Sequence, residues 1–532
     1  MRVAIRADAS RRIGSGHVTR CVTLGQELSR RGAEITFIAR QHEPGWYQRV
    51  VDAGFDLRLL AVPSGDRGSL EDGDYAGWLG VDVRQDAAET LEHLEAKEYG
   101  LLIVDHYALD ARWERQVRPH VGRIMAIDDL ADRSHEVDLL LDQNLRSDGG
   151  AAYRQLIPGG SHVLTGPGYA LLGPSYRRAR GEPLPHPQRG RVLVSLGGAS
   201  DPHVLSEVVN AVCDSAGAVT AIDVVDPLHR WSHDEAGACG RAGVAVQVHG
   251  AMPDLVGLML DAEIAVGAGG ATTWERLCLG LPTVAMSVAV NQRQALSELD
   301  DIGAAIDVGD VADGAARRCG ETVEALLRDR PRWEAMGRYG KLLVDGRGVE
   351  RVAEALLPAA PQLELRDAED GDAGLFWLWA NNPEVRRQSL SQEPIGWSGH
   401  LAWFARRLAA PSTWMFVLEA DGLPVGQIRF DVSGQEATID YSLDACVRGR
   451  GWGKVLVERG VARLVARSGG RIEEIRAEVR PENTASVRVF EASGFDRGAD
   501  SSGDDRLLTF IRSVDGTRGA DQLGDGGPHG GR

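Results

Sequence analysis

The sequence predicts an α/β protein made of two consecutive parallel-sheet halves and a third, smaller α+β module. Through residues 1–180, and again through 191–357, short apolar runs alternate with helical stretches, as in parallel strands joined by helical crossovers. Proline-dense breaks at 180–188 and 357–361 separate the three parts. With 532 residues, the chain is also too long for one ordinary hydrophobic core.

The positions of the apolar runs give the individual strands. In the first half we predict strands at 2–8, 34–39, 101–105, 124–127 and 138–141, and in the second at 192–196, 219–225, 244–248, 264–267, 283–287 and 304–308. In the third module they lie at 414–419, 424–430 and 437–443. The predicted domains are therefore 1–182, 190–357 and 362–514. The remaining segment, 515–532, is rich in glycine and aspartate and is predicted to be disordered, because it has too little apolar content to order itself.

The composition is that of an acidic globular protein. Hydrophobic residues make up 43% of the chain, charged residues 26%, and the formal net charge is −18, so a nucleic-acid partner is not expected. No apolar run reaches the roughly 18 residues of a membrane span, and no secretory signal follows the N-terminal arginines. The six cysteines have no paired metal-ligand spacing. They predict reduced thiols, a cytoplasmic location and no bound metal.

A single histidine lies in a glycine clamp directly after the first predicted strand. Gly14-Ser15-Gly16-His17 precedes a helical pattern that runs from about residue 18 to residue 28. His17 is therefore expected at a helix N-terminus beyond the carboxyl end of a strand, where open α/β sheets bind ligands and the helix dipole favours anions. Gly14 and Gly16 allow a ligand to approach the backbone closely. The alternative interpretation is an exposed histidine at a helix cap.

Two glycine turns follow predicted strands of the second half. Gly197 and Gly198 end the strand at 192–196, and their turn could face the His17 loop across a cleft. The second turn ends at Gly270 and opens into a helix at Thr272, where backbone amides and threonine hydroxyls suit a diphosphate.

Three further polar side chains follow these turns. Glu275, one helical turn after Thr272, is placed to accept hydrogen bonds from a ribose diol; alternatively it only stabilises the helix start. Asn291 and Gln292 follow the strand at 283–287, and their amides can hold sugar hydroxyls with directional, uncharged hydrogen bonds.

These motifs, taken in this order, resemble the GT-B-fold nucleotide-sugar enzymes. The order is G-x-G-H, S-L-G-G, G-A-G-G-x-T-x-x-E, G-L-P and N-Q, with supporting motifs at 105–107, 127–129, 142–144 and 166–171. Within that fold the chain resembles the UDP-sugar hydrolases of pseudaminic acid biosynthesis, which are often grouped with spore-coat polysaccharide proteins. The resemblance extends over roughly residues 1–340. The chain departs from the family at Gly173-Pro174, in a stretch where an arginine is expected.

The resemblance implies hydrolysis of a UDP-2,4-diacetamido-2,4,6-trideoxyhexose to UDP and the free sugar. It makes His17 the base that activates water at the anomeric carbon. Glu275 would contact the ribose, Thr272 and the nearby amides the phosphates, and the amides at 291–292 the sugar. The implied substrate-binding residues are Gly14, Gly16, Gly197, Gly198, Gly270, Thr272, Glu275, Asn291 and Gln292.

The third module carries an R-x-x-G-x-G loop between a predicted strand and a predicted helix at 455–466. Arg448, Gly451 and Gly453 form this pattern, which fits a pyrophosphate against backbone amides but also occurs in plain turns. Together with 480–486 and 489–495, the loop resembles the GNAT acetyltransferases, and 379–386 resembles their amino-sugar N-acetyltransferase branch.

This second resemblance covers roughly residues 363–512 and implies acetyl-CoA as the cofactor, with direct acetyl transfer to an amine. The implied cofactor-binding residues are Arg448, Gly449, Gly451, Gly453, Lys454 and Asn483. Many relatives carry a tyrosine where Phe490 stands, and its hydroxyl protonates the departing thiolate. Phe490 cannot donate a proton, so either water or another group does so, or the module is slow or degenerate. Asp440 and Tyr441 on the preceding strand are the alternative donors, or they serve only in packing.

The two resemblances together predict a bifunctional enzyme, because acetylation of a UDP-4-amino sugar gives the substrate of the hydrolase. One chain with both modules would raise the local concentration of the intermediate. Three alternatives remain open. They are a GT-B glycosyltransferase that passes the sugar from a UDP donor to an acceptor, a non-catalytic nucleotide-sugar binding or scaffold protein, and a hydrolase for a related diamino sugar with a degenerate acetyltransferase module.

Overall fold

The computed structural model describes residues 1–62, 75–94, 98–181, 188–198, 201–215, 218–228, 231, 243–498 and 507–514. The chain divides into two compact units, Met1–Pro358 and Ala359–Arg532. The predicted α/β fold class is confirmed, because the first unit contains two parallel sheets and the second a mixed sheet. Most of the predicted connector (182–187) and the predicted disordered tail (515–532) lie outside the described residues.

The first half of Met1–Pro358 is a parallel sheet in the order β3-β2-β1-β4-β5-β6-β7. Its strands are β1 (Arg2–Ala7), β2 (Glu34–Arg40), β3 (Asp56–Leu60), β4 (Leu101–Asp105), β5 (Ile124–Ile127), β6 (Leu139–Asp142) and β7 (His162–Thr165). Its helices are α1 (Gly16–Arg30), α2 (Gln48–Asp52), α3 (Val83–Leu94), α4 (Ala111–Val117) and α5 (Pro174–Gly181). The strands β4, β5 and β6 are buried along their whole length, which is why they stand out in the sequence as unbroken apolar runs.

The second half repeats this arrangement in the order β10-β9-β8-β11-β12-β13. Its strands are β8 (Arg191–Ser195), β9 (Ala221–Val225), β10 (Ala245–His249), β11 (Ile264–Ala268), β12 (Thr283–Ser287) and β13 (Ile306–Asp310). Its helices are α6 (Pro202–Cys213), α7 (Val256–Asp261), α8 (Thr272–Leu279), α9 (Arg293–Asp301), α10 (Ala315–Arg328) and α11 (Arg330–Leu343). Valines of the central strands pack against α6 and α10 to form its core.

Each of these two sheets reverses its strand order at the first strand of its half. β1 lies between β2 and β4, with Ala7 paired to Asp105, and β8 lies between β9 and β11, with Ser195 paired to Gly267. The loops that leave neighbouring strands at such a point run in opposite directions and open a crevice at the carboxyl edge, where α/β proteins bind ligands. The His17 loop and the glycine turns all begin at these edges.

The last helix of the first unit, α12 (Gly348–Leu356), belongs to the predicted domain 190–357 but packs against the first half. Arg31 at the end of α1 donates to Glu354 at 2.6 Å, and Arg123 donates to the Leu356 carbonyl at 2.5 Å. Arg351 reaches the Gly168 carbonyl at 2.8 Å. The chain therefore returns to its N-terminal half before it leaves the unit.

The unit Ala359–Arg532 contains a sheet in the order β14-β15-β16-β17-β18-β20-β19 among its described residues. Its strands are β14 (Leu363–Asp367), β15 (Thr413–Ala420), β16 (Leu423–Ser433), β17 (Glu436–Leu443), β18 (Glu474–Val479), β19 (Asp496–Arg497) and β20 (Leu508–Ser513). Its helices are α13 (Ala373–Asn381), α14 (Pro383–Gln388), α15 (Trp397–Ala409), α16 (Trp452–Ser468) and α17 (Thr484–Ala492).

The strands β17 and β18 of this sheet pair over only part of their length. They are parallel, and their paired residues run from Glu436–Glu474 to Thr438–Arg476, whereas β17 continues to Leu443 and β18 to Val479. Beyond Thr438, β17 keeps its pairing with β16 on the other side. Among the described residues, one backbone edge of β17 beyond Thr438 therefore has no paired strand, next to the start of α16.

The prediction that all six cysteines are reduced is wrong for Cys213, which is disulfide-bonded at the end of α6. Cys21, Cys278, Cys319 and Cys446 are free and buried, as expected of core thiols. Spacing along the sequence did not reveal the bond, because cysteines are brought together by tertiary structure.

Within the described ranges, no helix has both the length and the apolar character that crossing a membrane requires.

Candidate functional sites

His17 is the second residue of α1, which begins at Gly16, two residues earlier than the sequence pattern indicates. The preceding turn is closed by a hydrogen bond from the Gly14 amide to the Ser10 carbonyl at 2.8 Å, and Gly14 has a φ of 79°, which favours glycine. The His17 side chain is buried, and its Nδ1 lies 2.6 Å from a carboxylate oxygen of Asp105 at the end of β4. The interpretation as an exposed cap histidine is therefore wrong.

Asp105 is held as a carboxylate by Arg20, one turn after His17 on the same face of α1. Arg20 Nε and Nη2 donate to the two Asp105 oxygens at 2.6 Å each, and Nη1 donates to Asp129 at 3.1 Å. Burial alone would raise the pKa of Asp105, but the charge of Arg20 and the bonds from Arg20 and His17 hold it well below its usual range. In the tautomer of His17 that carries its proton on Nδ1, the ionised Asp105 accepts that proton in a hydrogen bond and Nε2 is the unprotonated nitrogen.

Tyr107 connects His17 to the second half of the unit. Its ring packs edge-on against the imidazole with centroids 4.7 Å apart, and its hydroxyl accepts a hydrogen bond from the Asn291 amide at 3.1 Å. Asn291 lines a cavity of about 330 Å³ between the halves, and its predicted contact with the sugar stays a prediction.

This cavity is lined by both polar and apolar side chains. The polar ones are Asp129, Asp132, Asn144, Arg146, Asn291 and Gln294, and the apolar or aromatic ones are Leu130, Leu145, Val290, Ala295 and Tyr75. The sequence motifs at 127–129 and 142–144 indicated part of this set without assigning roles. Arg20 and Arg146 were not predicted from the sequence. For Arg20 a signal was present, because its spacing of three residues from His17 places these two side chains on one face of the helix.

The predicted glycine turns 14–16 and 197–198 lie opposite each other. A Cβ atom added at Gly198 would lie 4.0 Å from the Ser15 hydroxyl oxygen, and Gly197 has a φ of 88°. Both turns are therefore at the cleft, and neither could carry a large side chain without narrowing it.

The turn at 267–270 leads into α8, which begins at Thr272 as predicted. Gln292 braces this turn: its Oε1 accepts hydrogen bonds from the amides of Gly269 at 3.2 Å and Val288 at 3.1 Å. The sequence suggested a sugar contact for Gln292, but its carbonyl oxygen is used by the backbone. Its Nε2 lies 3.9 Å from where a Cβ of Gly270 would stand, beside the turn.

Glu275 lies one turn into α8, half-buried, and accepts a hydrogen bond from the Tyr176 hydroxyl. Burial raises the pKa of Glu275 to about 7, although Tyr176 and the nearby arginines 276 and 49 oppose the shift. A carboxyl group with such a pKa exchanges its proton near neutral pH. A ribose contact through this group stays a prediction.

In the second unit, the predicted pyrophosphate loop forms the turn before α16. Gly449 and Gly451 have φ values of 78° and 76°, so both positions favour glycine. A Cβ at Gly453 would come within 3.0 Å of Val489 on α17, so glycine is needed there for close packing.

The charged residues of this loop are engaged within the unit. Arg448 donates to Asn382 at 3.0 Å and Glu384 at 2.6 Å. Lys454 is exposed and forms an ion pair with Glu458 at 3.4 Å. Their contacts to a cofactor stay predictions.

Asn483 caps α17, its side chain accepting from the Ser486 amide at 3.1 Å. Phe490, on the same helix, is buried against the aromatic rings of Tyr441, Phe495 and Phe510. This position thus offers packing and no proton.

Tyr441 is the more buried of the two alternative proton donors. Its hydroxyl bonds to the Ser486 hydroxyl at 3.1 Å, and its ring lies 3.6 Å from where a Cβ of Gly453 would stand. Burial raises the pKa of Tyr441 to about 12, so the hydroxyl keeps its proton at neutral pH. Asp440 is exposed and accepts from Gln427 at 3.1 Å.

The fold is that of an α/β protein with two Rossmann-like halves in its first unit, followed by a second unit built on a mixed sheet. The family model described as "Acetyltransferase (GNAT) domain" matches residues 362–496. The prediction of a GNAT domain at the C-terminal end is therefore confirmed, and with it an acetyltransferase class of enzyme.

The N-terminal part resembles the proteins that the sequence motifs indicated. The chain is 24% identical over 377 residues to the spore coat polysaccharide biosynthesis protein SpsG of Bacillus subtilis, covering 67% of this chain and 98% of that protein. It is 23% identical over 173 residues to the UDP-2,4-diacetamido-2,4,6-trideoxy-beta-L-altropyranose hydrolase of Campylobacter jejuni, covering 32% of this chain and 52% of that enzyme. The structure of Acinetobacter baumannii MurG is 13% identical with a TM-score of 0.46, covering 66% of this chain and 98% of that one.

Proposed function

We propose that the unit Met1–Pro358 hydrolyses a UDP-2,4-diacetamido-2,4,6-trideoxyhexose to UDP and the free sugar. The observation that carries this proposal is the buried His17–Asp105 pair, linked through Tyr107 and Asn291 to the cavity between the two halves. The similarity to the Campylobacter jejuni hydrolase supports this choice of substrate.

The chemistry follows from the protonation state of the pair. His17 Nε2 takes a proton from water as the water oxygen bonds to the anomeric carbon, and the bond from that carbon to the diphosphate oxygen breaks. The ionised Asp105 stabilises the imidazolium that forms, and His17 then returns the proton to solvent. Amides of the glycine turns and the start of α8 neutralise the departing UDP. General-base catalysis of this kind contributes roughly 100- to 10,000-fold.

The lining of the cavity supports an acylated deoxy sugar. Asn144, Asn291 and Gln294 offer donors and acceptors for hydroxyl and acetamido groups, while Val290 and Leu130 offer apolar surface for methyl groups. A sugar with acetamido groups and a 6-deoxy carbon carries both kinds of surface.

We further propose that the unit Ala359–Arg532 acetylates the UDP-4-amino sugar from which that substrate derives. Bound acetyl-CoA supplies an activated acetyl group to the amine. The open edge of β17 can accept hydrogen bonds from an extended cofactor arm, and the turn with Gly449 and Gly451 offers amides to its pyrophosphate.

Tyr441 is the proposed donor of a proton to the departing sulfur. We expect Tyr441→Phe to lower kcat for acetylation at unchanged CoA affinity; an unchanged kcat would leave Tyr441 a packing role.

One experiment tests both activities. The purified protein is incubated with acetyl-CoA and a UDP-4-amino sugar, and mass spectrometry follows the acetylated nucleotide sugar and the release of UDP. We expect acetylation first and then UDP release without any acceptor besides water. The His17→Asn variant should still acetylate the amino sugar and should still bind UDP. It should not hydrolyse the nucleotide sugar, so no UDP should form.

The other outcomes identify the alternatives. Release of UDP at the wild-type rate by His17→Asn would contradict the role of His17. UDP release that requires an added alcohol would indicate a glycosyltransferase instead. Tight binding of the UDP-sugar in isothermal titration, with no product over hours, would indicate a binding protein.

A further inference from the structure

Arg276 lies on α8, directly beneath the turn formed by 267–270. Its side chain is 1% exposed, and Nη2 donates to the Ala268 carbonyl at 2.8 Å and to the Thr273 hydroxyl at 2.9 Å. A Cβ at Gly267 would overlap Nη1, so the guanidinium occupies the space that the missing side chain leaves. The positive charge of the Arg276 guanidinium therefore lies directly beneath the turn, in contact with its backbone.

Among the described residues of the unit, this charge bonds to no carboxylate, since the neighbouring Glu275 bonds to the Tyr176 hydroxyl instead. Arg276 donates only to a carbonyl and a hydroxyl, and its Nε and Nη1 have no hydrogen-bond partner among the described residues. Burial lowers the pKa of Arg276 to about 10, so it stays charged at neutral pH, with Glu275 as the neighbouring acid that opposes the shift.

The other arginines buried to the same degree are paired. Arg6 and Arg40 both bond to Asp86 at 2.7 Å, and Arg351 bonds to Asp345 at 2.5 Å. A buried charge that bonds to no carboxylate destabilises a fold, so its presence indicates a negatively charged partner that the chain itself does not supply. Departures from local stability rules of this kind are typical of functional positions.

We propose that Arg276 provides the counter-charge for the diphosphate of the nucleotide. Its guanidinium lies under the turn 267–270 without a bonded carboxylate, and the bound diphosphate supplies the negative charge. This inference rests on the nucleotide site proposed above. Arg276 fixes the Ala268 carbonyl on its own side of the turn, and the field of its charge adds to that of the α8 N-terminus on the ligand side. It is a positioning residue that favours the diphosphate part of the ligand over the nucleoside part.

The test compares UDP, UMP and uridine by isothermal titration on the full chain. We expect Arg276→Gln to weaken UDP binding by about tenfold or more and to leave uridine binding within about twofold of wild type. Arg276→Lys, which keeps the charge, should retain most of the preference for UDP over uridine. Arg276→Met should unfold at a temperature equal to or above that of wild type, because it removes a buried charge without a partner.

Arg318→Gln is the matched control, since Arg318 also donates to carbonyls, those of Val308 at 2.7 Å and Asp313 at 2.6 Å, and its removal changes the net charge equally. Equal loss of UDP and uridine binding in Arg276→Gln, or no loss, would overturn the inference. So would failure of both the Gln and the Met variants to fold, because the charge would then serve the fold. A wild-type protein that binds no UDP would instead overturn the proposed nucleotide site.

Discussion

At the scale of single residues, the site of the first unit is organised around a shared carboxylate. Asp105 accepts from Arg20 through both oxygens and from His17 through one of them. Arg20 keeps the carboxylate ionised, and the carboxylate selects the tautomer of His17 that leaves Nε2 able to act as a base. The catalytic role proposed for His17 therefore depends on a residue that need not touch the substrate.

Asp105→Asn should separate these two functions. We expect the rate of UDP release to fall by roughly 100- to 10,000-fold, because the amide cannot stabilise an imidazolium. UDP affinity, measured by titration, should change little. The double variant with His17→Asn should be no slower than His17→Asn alone, since the two residues act as one unit. Additive losses in the double variant would contradict the coupling.

Glu275 gives a prediction about stability and pH. Its pKa in the folded protein is raised to about 7 from an ordinary value of 4.5, so the folded state binds the proton more tightly than the unfolded state does. The carboxyl's contribution to stability is complete below pH 4.5 and is lost as the pH rises through 7. Glu275→Gln should therefore have the same unfolding free energy as wild type near pH 4.5. At pH 8.5 its unfolding free energy should be higher by on the order of 1–3 kcal/mol, as chemical denaturation at the two pH values measures. A gain that is independent of pH would contradict this.

At the scale of elements, the sequence predicted those strands whose burial is complete. β4, β5 and β12 were predicted with their observed bounds because buried parallel strands are short unbroken apolar runs. The strands that were not predicted are β3, β7, β14, β18, β19 and β20. β3 and β14 mix charged residues with half-exposed apolar ones at the edges of their sheets. Edge strands carry a weaker hydrophobic signal.

The site was predictable to a similar degree. The glycine turns and His17 could be located because a strand, a glycine turn and a helix follow one another along the sequence. The use of Gln292 as a brace and the isolation of the Arg276 charge were not predictable, because each depends on which backbone groups the tertiary fold brings near. The disulfide of Cys213 was not predictable for the same reason, because it depends on residues that the tertiary fold brings together.

The brace between the turn at 267–270 and the loop after β12 gives a prediction at this scale. Gln292→Ala removes the acceptor of the Val288 amide and one of the two acceptors of the Gly269 amide, which also bonds to the Met286 carbonyl at 3.2 Å. This loss should cost about 1–3 kcal/mol in unfolding free energy. Because the turn loosens as a whole, UDP and uridine binding should weaken together, unlike the selective loss expected for Arg276→Gln. Gln292→Glu, which keeps an acceptor oxygen, should recover most of the stability. Chemical denaturation and titration measure both effects.

At the scale of the whole molecule, the division at Pro358 and Ala359 predicts independent unfolding. Calorimetry of the full chain should give two transitions. UDP should raise the temperature of one alone and CoA that of the other alone, because a ligand stabilises the unit that binds it. Both ligands shifting one common transition would contradict the independence of the two units.

The return of α12 to the first half also has a consequence for synthesis of the chain. Arg31 and Glu354, which bond across this contact, are separated by 323 positions, so the nascent N-terminal half emerges from the ribosome long before its last helix exists. Until then, the surface that receives α12 around Arg31 and Arg123 is uncovered. A ribosome that stalls inside the second half would therefore leave the His17-bearing half without its final helix. Completion of the first unit must wait until translation has passed residue 356.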